Sequence, residues 1–150
     1  MTTVASSIPD TIYADTSFFV SLYLPDRHTA EVEQRLSSRP SLWMTPLHLA
    51  EWTHAIEQYV FRKAITRSEA DRALERFREH RAQNLWRVAA LPDHAFTLCA
   101  QLAQRYAARI GVRTLDTLHV ASALELGAER FWTFDARQAK LAVAAGLKTG

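Results

Sequence analysis

Residues 11–20 read TIYADTSFFV, and the change of character at Asp15 decides the fold. Residues 11–14 form a short β-branched and aromatic run, the composition of a strand. Residues 16–24 (TSFFVSLYL) then read as a helix, which Pro25-Asp26 breaks. An acid therefore stands where a strand hands over to a helix. The same hand-over recurs far along the chain, where residues 131–134 (FWTF) read as a strand, Asp135 follows, and a helix runs over 136–145 to Gly146. Between these two points the periodicity keeps alternating. A second amphipathic helix covers 28–38 and a strand 42–44. Thr45-Pro46 is a helix start, with threonine as cap and proline in the first turn, and opens a helix from 46 to about 64 that carries Glu51. Thr66-Arg67-Ser68-Glu69 has capping-box spacing and starts a helix reaching about residue 84. Residues 85–91 (LWRVAAL) read as a strand, and 92–110 as a long helix closed by Gly111. Thr114 caps a helix over 115–126 closed by Gly127, with Asp116 in its first turn. Residues 147–149 begin a final edge strand. Strands alternating with helices predict an α/β domain with a mainly parallel central sheet, whose ligands bind at the carboxyl ends of the strands.

The 150-residue length fits one domain over 1–150, with residues 1–10 a frayed lead-in. At 48% hydrophobic and 23% charged the composition is that of an ordinary globular domain. The lone Cys99 excludes an intrachain disulfide and fits a reducing, cytoplasmic compartment. No apolar run is long enough to span a membrane, and the first residues lack the basic-then-apolar order of a secretory signal. Net charge is only +2, a weak signal for a polyanionic partner, although Arg outnumbers Lys 15 to 3. Arginine favours bidentate phosphate contacts but also tracks genomic base composition. The bases between Arg62 and Arg81 alternate with Glu69, Asp71, Glu75 and Glu79, the pattern of a solvated helix with ion pairs.

Four acids stand in apolar or strand-like text: Asp15, Glu51 in TPLHLAEWTHAI, Asp116 in RTLDTLHVASAL and Asp135 in RFWTFDARQAKL. A carboxylate drawn toward a core loses hydration worth several kcal/mol unless something compensates it. Singly, three have ordinary explanations: Asp15 and Asp135 as helix caps, Asp116 as an acid favoured by the helix dipole. Glu51 has few polar neighbours to explain it. Together they point to one cleft-lining cluster that binds cations or takes up protons. Glu51-x-x-His54 and Asp116-x-x-His119 each put a carboxylate and an imidazole on one helix face. Such pairs occur in di-iron four-helix bundles, a fold the strands beside Asp15 and Asp135 argue against. Tryptophans 43, 52, 86 and 132 and the Phe18-Phe19 pair read as core or interface.

YADTSFFV, PLHLAEWTHAI, LDTLHVASALELGA and FWTFDARQAKLAVAAGL, in this order and context, resemble a PIN-domain ribonuclease, specifically a VapC-type toxin of a toxin–antitoxin pair. The resemblance implies a PIN-like α/β/α sandwich and an acidic pocket of Asp15, Glu51, Asp116 and Asp135 for one or two Mg²⁺ or Mn²⁺ ions. Asp15 and Asp116 are then the expected direct ligands. It places Ser17 and Thr133 at the pocket rim, where the alternatives are a helix cap for Ser17 and a plain strand residue for Thr133. His119 would orient a ligand, touch phosphate or simply pack. The implied function is a metal-dependent endoribonuclease acting on structured RNA and blocked by a cognate antitoxin, in a family that also forms homodimers. Two other readings stand beside it: a catalytically silent PIN-like module that binds RNA or protein, and a metal-dependent DNA nuclease or phosphatase.

Overall fold

The structure, a computed structural model, describes residues 10–150; nearly all of the expected lead-in lies outside the described residues. In chain order the elements are β1 (Thr11–Ala14), α1 (Thr16–Tyr23), α2 (Thr29–Leu36), β2 (Ser41–Met44), α3 (Pro46–Phe61), α4 (Arg67–Ala82), β3 (Arg87–Val88), α5 (His94–Leu102), α6 (Ala108–Ile110), α7 (Thr114–Glu125), β4 (Arg130–Trp132), α8 (Ala136–Ala144) and β5 (Lys148–Thr149). The five strands form one all-parallel sheet in the order β3-β2-β1-β4-β5. Parallel strands need crossover connections, and helices supply them on both faces.

Strand alternation divides the core. Ile12, Ala14, Leu42, Met44 and Trp132 face one way and pack with Phe18, Phe19, Trp52 and Phe77 from α1, α3 and α4. Tyr13 and Phe131 face the other way, against Leu102, Leu118, Ala121 and Leu141 from α5, α7 and α8. A one-residue slip in β1 would exchange these two sets, so the register is held by burial on both faces. The result is a three-layer α/β/α sandwich, as the PIN-domain resemblance implies.

Several local expectations are corrected. The strand over 85–91 shrinks to Arg87–Val88, both exposed on the sheet edge, where only β2 offers a ladder partner. The helix over 92–110 is broken by a π-helical turn at Ala103–Ala107; Tyr106 in that turn donates its hydroxyl to the Ala144 carbonyl 3.2 Å away. Gly111 closes the run in the left-handed region at φ 77. Thr114 is the first residue of α7 rather than its cap, a place taken by Arg113 in extended conformation. β4 ends at Trp132, so Thr133 is not a strand residue. The final edge strand is present as β5, paired with β4. The capping box at Thr66 and Glu69 forms as the spacing predicts, with bonds of 2.7 and 3.1 Å.

Candidate active site

From β1 the chain runs outward on one side to β2 and β3, and β4 lies on the other side. The gap between β1 and β4 is the switch point of the sheet, where diverging connections leave a crevice beyond the strand ends. The backbone N–H of Asp15 donates to the Trp132 carbonyl at 2.9 Å, which brings the ends of both strands together. The crevice above them has a volume of about 780 Å³, and Asp15, Glu51, Asp116 and Asp135 all line it.

Asp15 is the N-cap of α1, its Oδ2 accepting from the Ser17 N–H at 3.4 Å and from the Ser17 hydroxyl at 2.8 Å. Ser17 is thus not the cap; it donates to the acid that is, and its side chain lies at the crevice. Asp135 caps α8, with Oδ1 accepting from the Gln138 N–H at 2.9 Å. The capping explanations for these two acids are therefore true of the geometry, and each still leaves a carboxylate oxygen at the crevice wall.

Glu51 is reached from α3 and is gripped from below. Its Oε1 accepts from Thr16 Oγ1 at 2.9 Å and from His119 Nε2. His119 is fully buried. Since a carboxylate only accepts, Nε2 carries a proton, and in the neutral imidazole Nδ1 accepts from the Tyr13 hydroxyl at 2.7 Å. Burial pushes the Tyr13 phenol above its ordinary range, so it stays a donor. Burial alone would raise the Glu51 carboxyl, but the hydrogen bonds from His119 and the Thr16 hydroxyl outweigh it and hold Glu51 below the usual glutamate value. Asp116 behaves oppositely. Burial first, then the negative charges of Asp15 and Asp135, raise its carboxyl above the ordinary aspartate value, against a loose pairing to Arg113 at 3.6 Å. Mutual repulsion of this kind is what a shared cation relieves.

Gln138, wholly buried, ties the rim together. Its amide nitrogen donates to the Asp116 carbonyl at 3.2 Å and reaches Asp15 Oδ1 at 3.5 Å, and its amide oxygen accepts from the Thr133 hydroxyl at 2.6 Å. Thr133 Oγ1 in turn accepts from the Asp135 N–H at 3.0 Å. Thr133 therefore acts beneath the acids and does not line the crevice wall. His54 is exposed and outside the crevice, so the Glu51-x-x-His54 spacing brings no pair together. Sequence reasoning missed Gln138, Thr16, Tyr13 and His48. Only Gln138 had a signal, the Asp135-x-x-Gln138 spacing of a capping box.

His48 joins the two sides of the site. Its Nδ1 accepts from the Thr45 N–H at 3.0 Å at the start of α3, and its Nε2 donates to the Ala14 carbonyl at 2.8 Å beside Asp15. The bond accepted by Nδ1 requires the neutral ring, with its proton on Nε2, and burial, with the nearby His119, lowers the His48 pKa to about 3.

The family model for the PIN domain matches residues 12–144. The chain belongs to the PIN-domain family. The match spans all four acids. Solved structures similar to this PIN domain include Mycobacterium tuberculosis VapC20, a sarcin–ricin loop cleaving toxin, at 18% identity and TM-score 0.68, covering 91% of this chain and 95% of that one. FitAcB from Neisseria gonorrhoeae aligns at 18% identity and TM-score 0.69 over 92% and 95% of the two chains. VapBC2 from Rickettsia felis, bound to a DNA fragment from its promoter, aligns at 14% identity and TM-score 0.64 over 93% and 97%. At these identities the likeness is one of fold. No curated protein sequence matches the chain.

The four acids at the crevice of this PIN domain suit a hard divalent cation: they offer carboxylate oxygens, and one of them is raised by burial and by its neighbours' charge. Among the described residues, no three His, Cys, Asp or Glu side chains are placed to hold a metal ion together. A cation held here would keep much of its water shell, as Mg²⁺ does when one or two carboxylates bind it.

Proposed function

We propose that this PIN domain is a metal-dependent endoribonuclease that hydrolyses RNA phosphodiester bonds, the toxin of a toxin–antitoxin pair. The observation that carries the reading is the lining of one switch-point crevice by Asp15, Glu51, Asp116 and Asp135, with Asp116 raised first by burial and then by the charges of Asp15 and Asp135. Asp15 and Asp116 would hold Mg²⁺ or Mn²⁺ directly, as one ion or two, with Glu51 and Asp135 at the flanks. Such a cation supplies charge neutralisation at phosphate and acidifies a water. The chain's own groups do the rest. His119 and Thr16 hold Glu51 in one orientation, Gln138 fixes Asp15 and the first turn of α7, and the exposed Arg113 stands at the mouth to meet phosphate.

The likeness of fold to VapC20 and to VapBC2 supports an RNA substrate and a cognate antitoxin that blocks the crevice. Exposed Phe61 and Phe96 give apolar surface to a homodimer. Cys99 is the chain's one cysteine, which fits a reducing cytoplasm. Among the described residues, no helix is long and apolar enough to cross a membrane. The test is cleavage of structured RNA by the purified chain with Mg²⁺ or Mn²⁺ and with EDTA, beside calorimetric titration of each metal. Metal-stimulated cutting that disappears in Asp116→Asn is expected; cutting that ignores EDTA, or survives in Asp116→Asn, overturns the assignment.

A second reading has two observations in its favour. The absence, among the described residues, of three His, Cys, Asp or Glu side chains placed to hold a metal ion together and the engagement of Glu51 by His119 fit a PIN-like module that binds RNA or protein without cutting it. RNA retention with no metal binding and no cleavage would select it.

A further inference from the structure

The turn between α1 and α2 is tied down more firmly than a connection needs. Asp26 accepts from the Ser21 hydroxyl at 2.7 Å and from the His28 N–H at 2.7 Å. Thr29 Oγ1 accepts from the Asp26 N–H at 2.8 Å and donates to the Ser21 carbonyl at 3.1 Å. These bonds fix Arg27 and His28 at the wall of the acidic crevice, where both side chains lie. The His28 ring is laid flat on Phe134, with centroids 3.9 Å apart and planes 4° from parallel. Phe134 in turn lies near-parallel to fully buried Phe18, at 6.3 Å and 16°. The result is a ladder of rings rising from the core to the crevice, and its upper two members are only half buried. Phe134 immediately precedes Asp135, so the ladder ends beside the acids. Arg27 donates Nε to His28 Nε2 at 3.2 Å and makes no ion pair among the described residues.

We propose that His28, backed by Phe134, is a stacking platform for one unpaired base of the RNA, and that Arg27 takes an adjoining phosphate. The proposal deepens the ribonuclease reading and rests on it. Unpaired bases are recognised by stacking on aromatic and histidine rings, and every base offers a π-face. A ring whose orientation is already fixed loses little freedom on binding, which is what the locked turn provides. A guanidinium beside the ring, with no carboxylate holding it, matches the charge that joins one base to the next. The nucleotide held here sits next to the phosphate facing the acids, so the platform would bias which bond is cut.

The experiment measures binding separately from cutting. A labelled short single-stranded oligoadenylate and its abasic counterpart are titrated with the full chain by fluorescence anisotropy. Ca²⁺ is supplied to neutralise the carboxylates, and the strand is checked for integrity on a gel. Wild type is expected to prefer the base-bearing strand by about tenfold, the scale of one stacked base. His28→Ala is expected to erase that preference while binding the abasic strand as wild type does, and His28→Phe to keep it. Melting temperatures of the variants show whether each is folded, and the wild-type comparison of the two strands needs no variant. Equal affinity of wild type for both strands, failure to bind either, or an unchanged preference in folded His28→Ala would overturn the platform. Cutting of RNA without base preference would remove the platform and leave the ribonuclease reading. A His28-dependent preference without cutting in any metal would do the reverse.

Discussion

On the strand side of the crevice, Asp15 and Asp135 each give a carboxylate oxygen to the helix that follows, accepting from backbone N–H groups at 3.4 and 2.9 Å. On the helix side, Glu51 and Asp116 cap nothing: Glu51 is gripped by His119 and Thr16, and Asp116 is pushed up by burial and by its acidic neighbours. The strand-side acids are places where folding and chemistry ask for the same residue. The helix-side acids are not explained by folding, and Asp116 opposes it, because bringing like charges together is unfavourable without a counter-ion. Under the proposed function, the difference separates two kinds of site residue, one that the fold would select anyway and one that only a ligand justifies.

The largest effect expected is at Asp116. Asp116→Asn should lower RNA cleavage by more than the roughly 10- to 100-fold typical of groups that merely orient metal ligands. It should not destabilise the metal-free chain. A carboxyl whose folded pKa lies above its unfolded value loses stability as pH rises through that window, so at neutral pH the amide removes a penalty. Thermal melts in EDTA check this; a clear drop in melting temperature for Asp116→Asn would erase the distinction between the two sides.

Acidification should act on the pin that joins the sides. His48 is held neutral with a pKa of about 3, whereas the unfolded imidazole titrates near 6.5. The unfolded chain therefore takes up the proton first, and stability present above about pH 6.5 is lost as pH falls toward 3. The loss traceable to this residue is about 2 kcal/mol by pH 5. In urea titrations, the stability advantage of wild type over His48→Gln should narrow between pH 8 and pH 5. A constant advantage would show that His48 does not couple the two sides.

The strand side predicts a smaller and purely conformational cost. Asp135→Ala removes a helix cap and should cost about 1 kcal/mol, or about 2–4 °C in melting temperature, in EDTA as well as in metal. A loss seen only in metal would move Asp135 to the same class as Asp116. The smallest effect belongs to Ser17→Ala, which deletes the hydroxyl on Asp15 but leaves the backbone cap; its stability should change by less than about 0.5 kcal/mol. A change as large as that of Asp135→Ala would mean the hydroxyl, not the backbone, holds Asp15.

Much of this was legible along the chain because the relevant physics is local. Alternation of strand and helix text, the caps at Thr45 and Thr66, and the stop at Gly111 each depend on a few consecutive residues. The strand-side acids were visible for the same reason, each following its strand directly or after two intervening residues. Where local pattern misled, a tertiary constraint was missing. LWRVAAL has the composition of a strand, yet with only β2 beside it the edge keeps just Arg87–Val88 in the ladder. Glu51-x-x-His54 has pairing geometry on an isolated helix, yet packing turns Glu51 inward and leaves His54 in solvent.

The sequence by itself determined the alternation of strands and helices, the mainly parallel sheet and which acids stand in apolar surroundings, since hydrophobic periodicity and cap chemistry are properties of neighbouring residues. Only the tertiary structure decided what those acids touch. Tyr13 and His119 are 106 residues apart, and the carboxylate of Glu51 meets an imidazole 68 residues further on. No periodicity encodes such pairs: they follow from the strand order, which sets β1 beside β4 and opens the crevice between them. The same closure fixes His48 as a neutral ring and Gln138 as the tie between rims, because a buried polar group must take whatever partner the fold brings within reach.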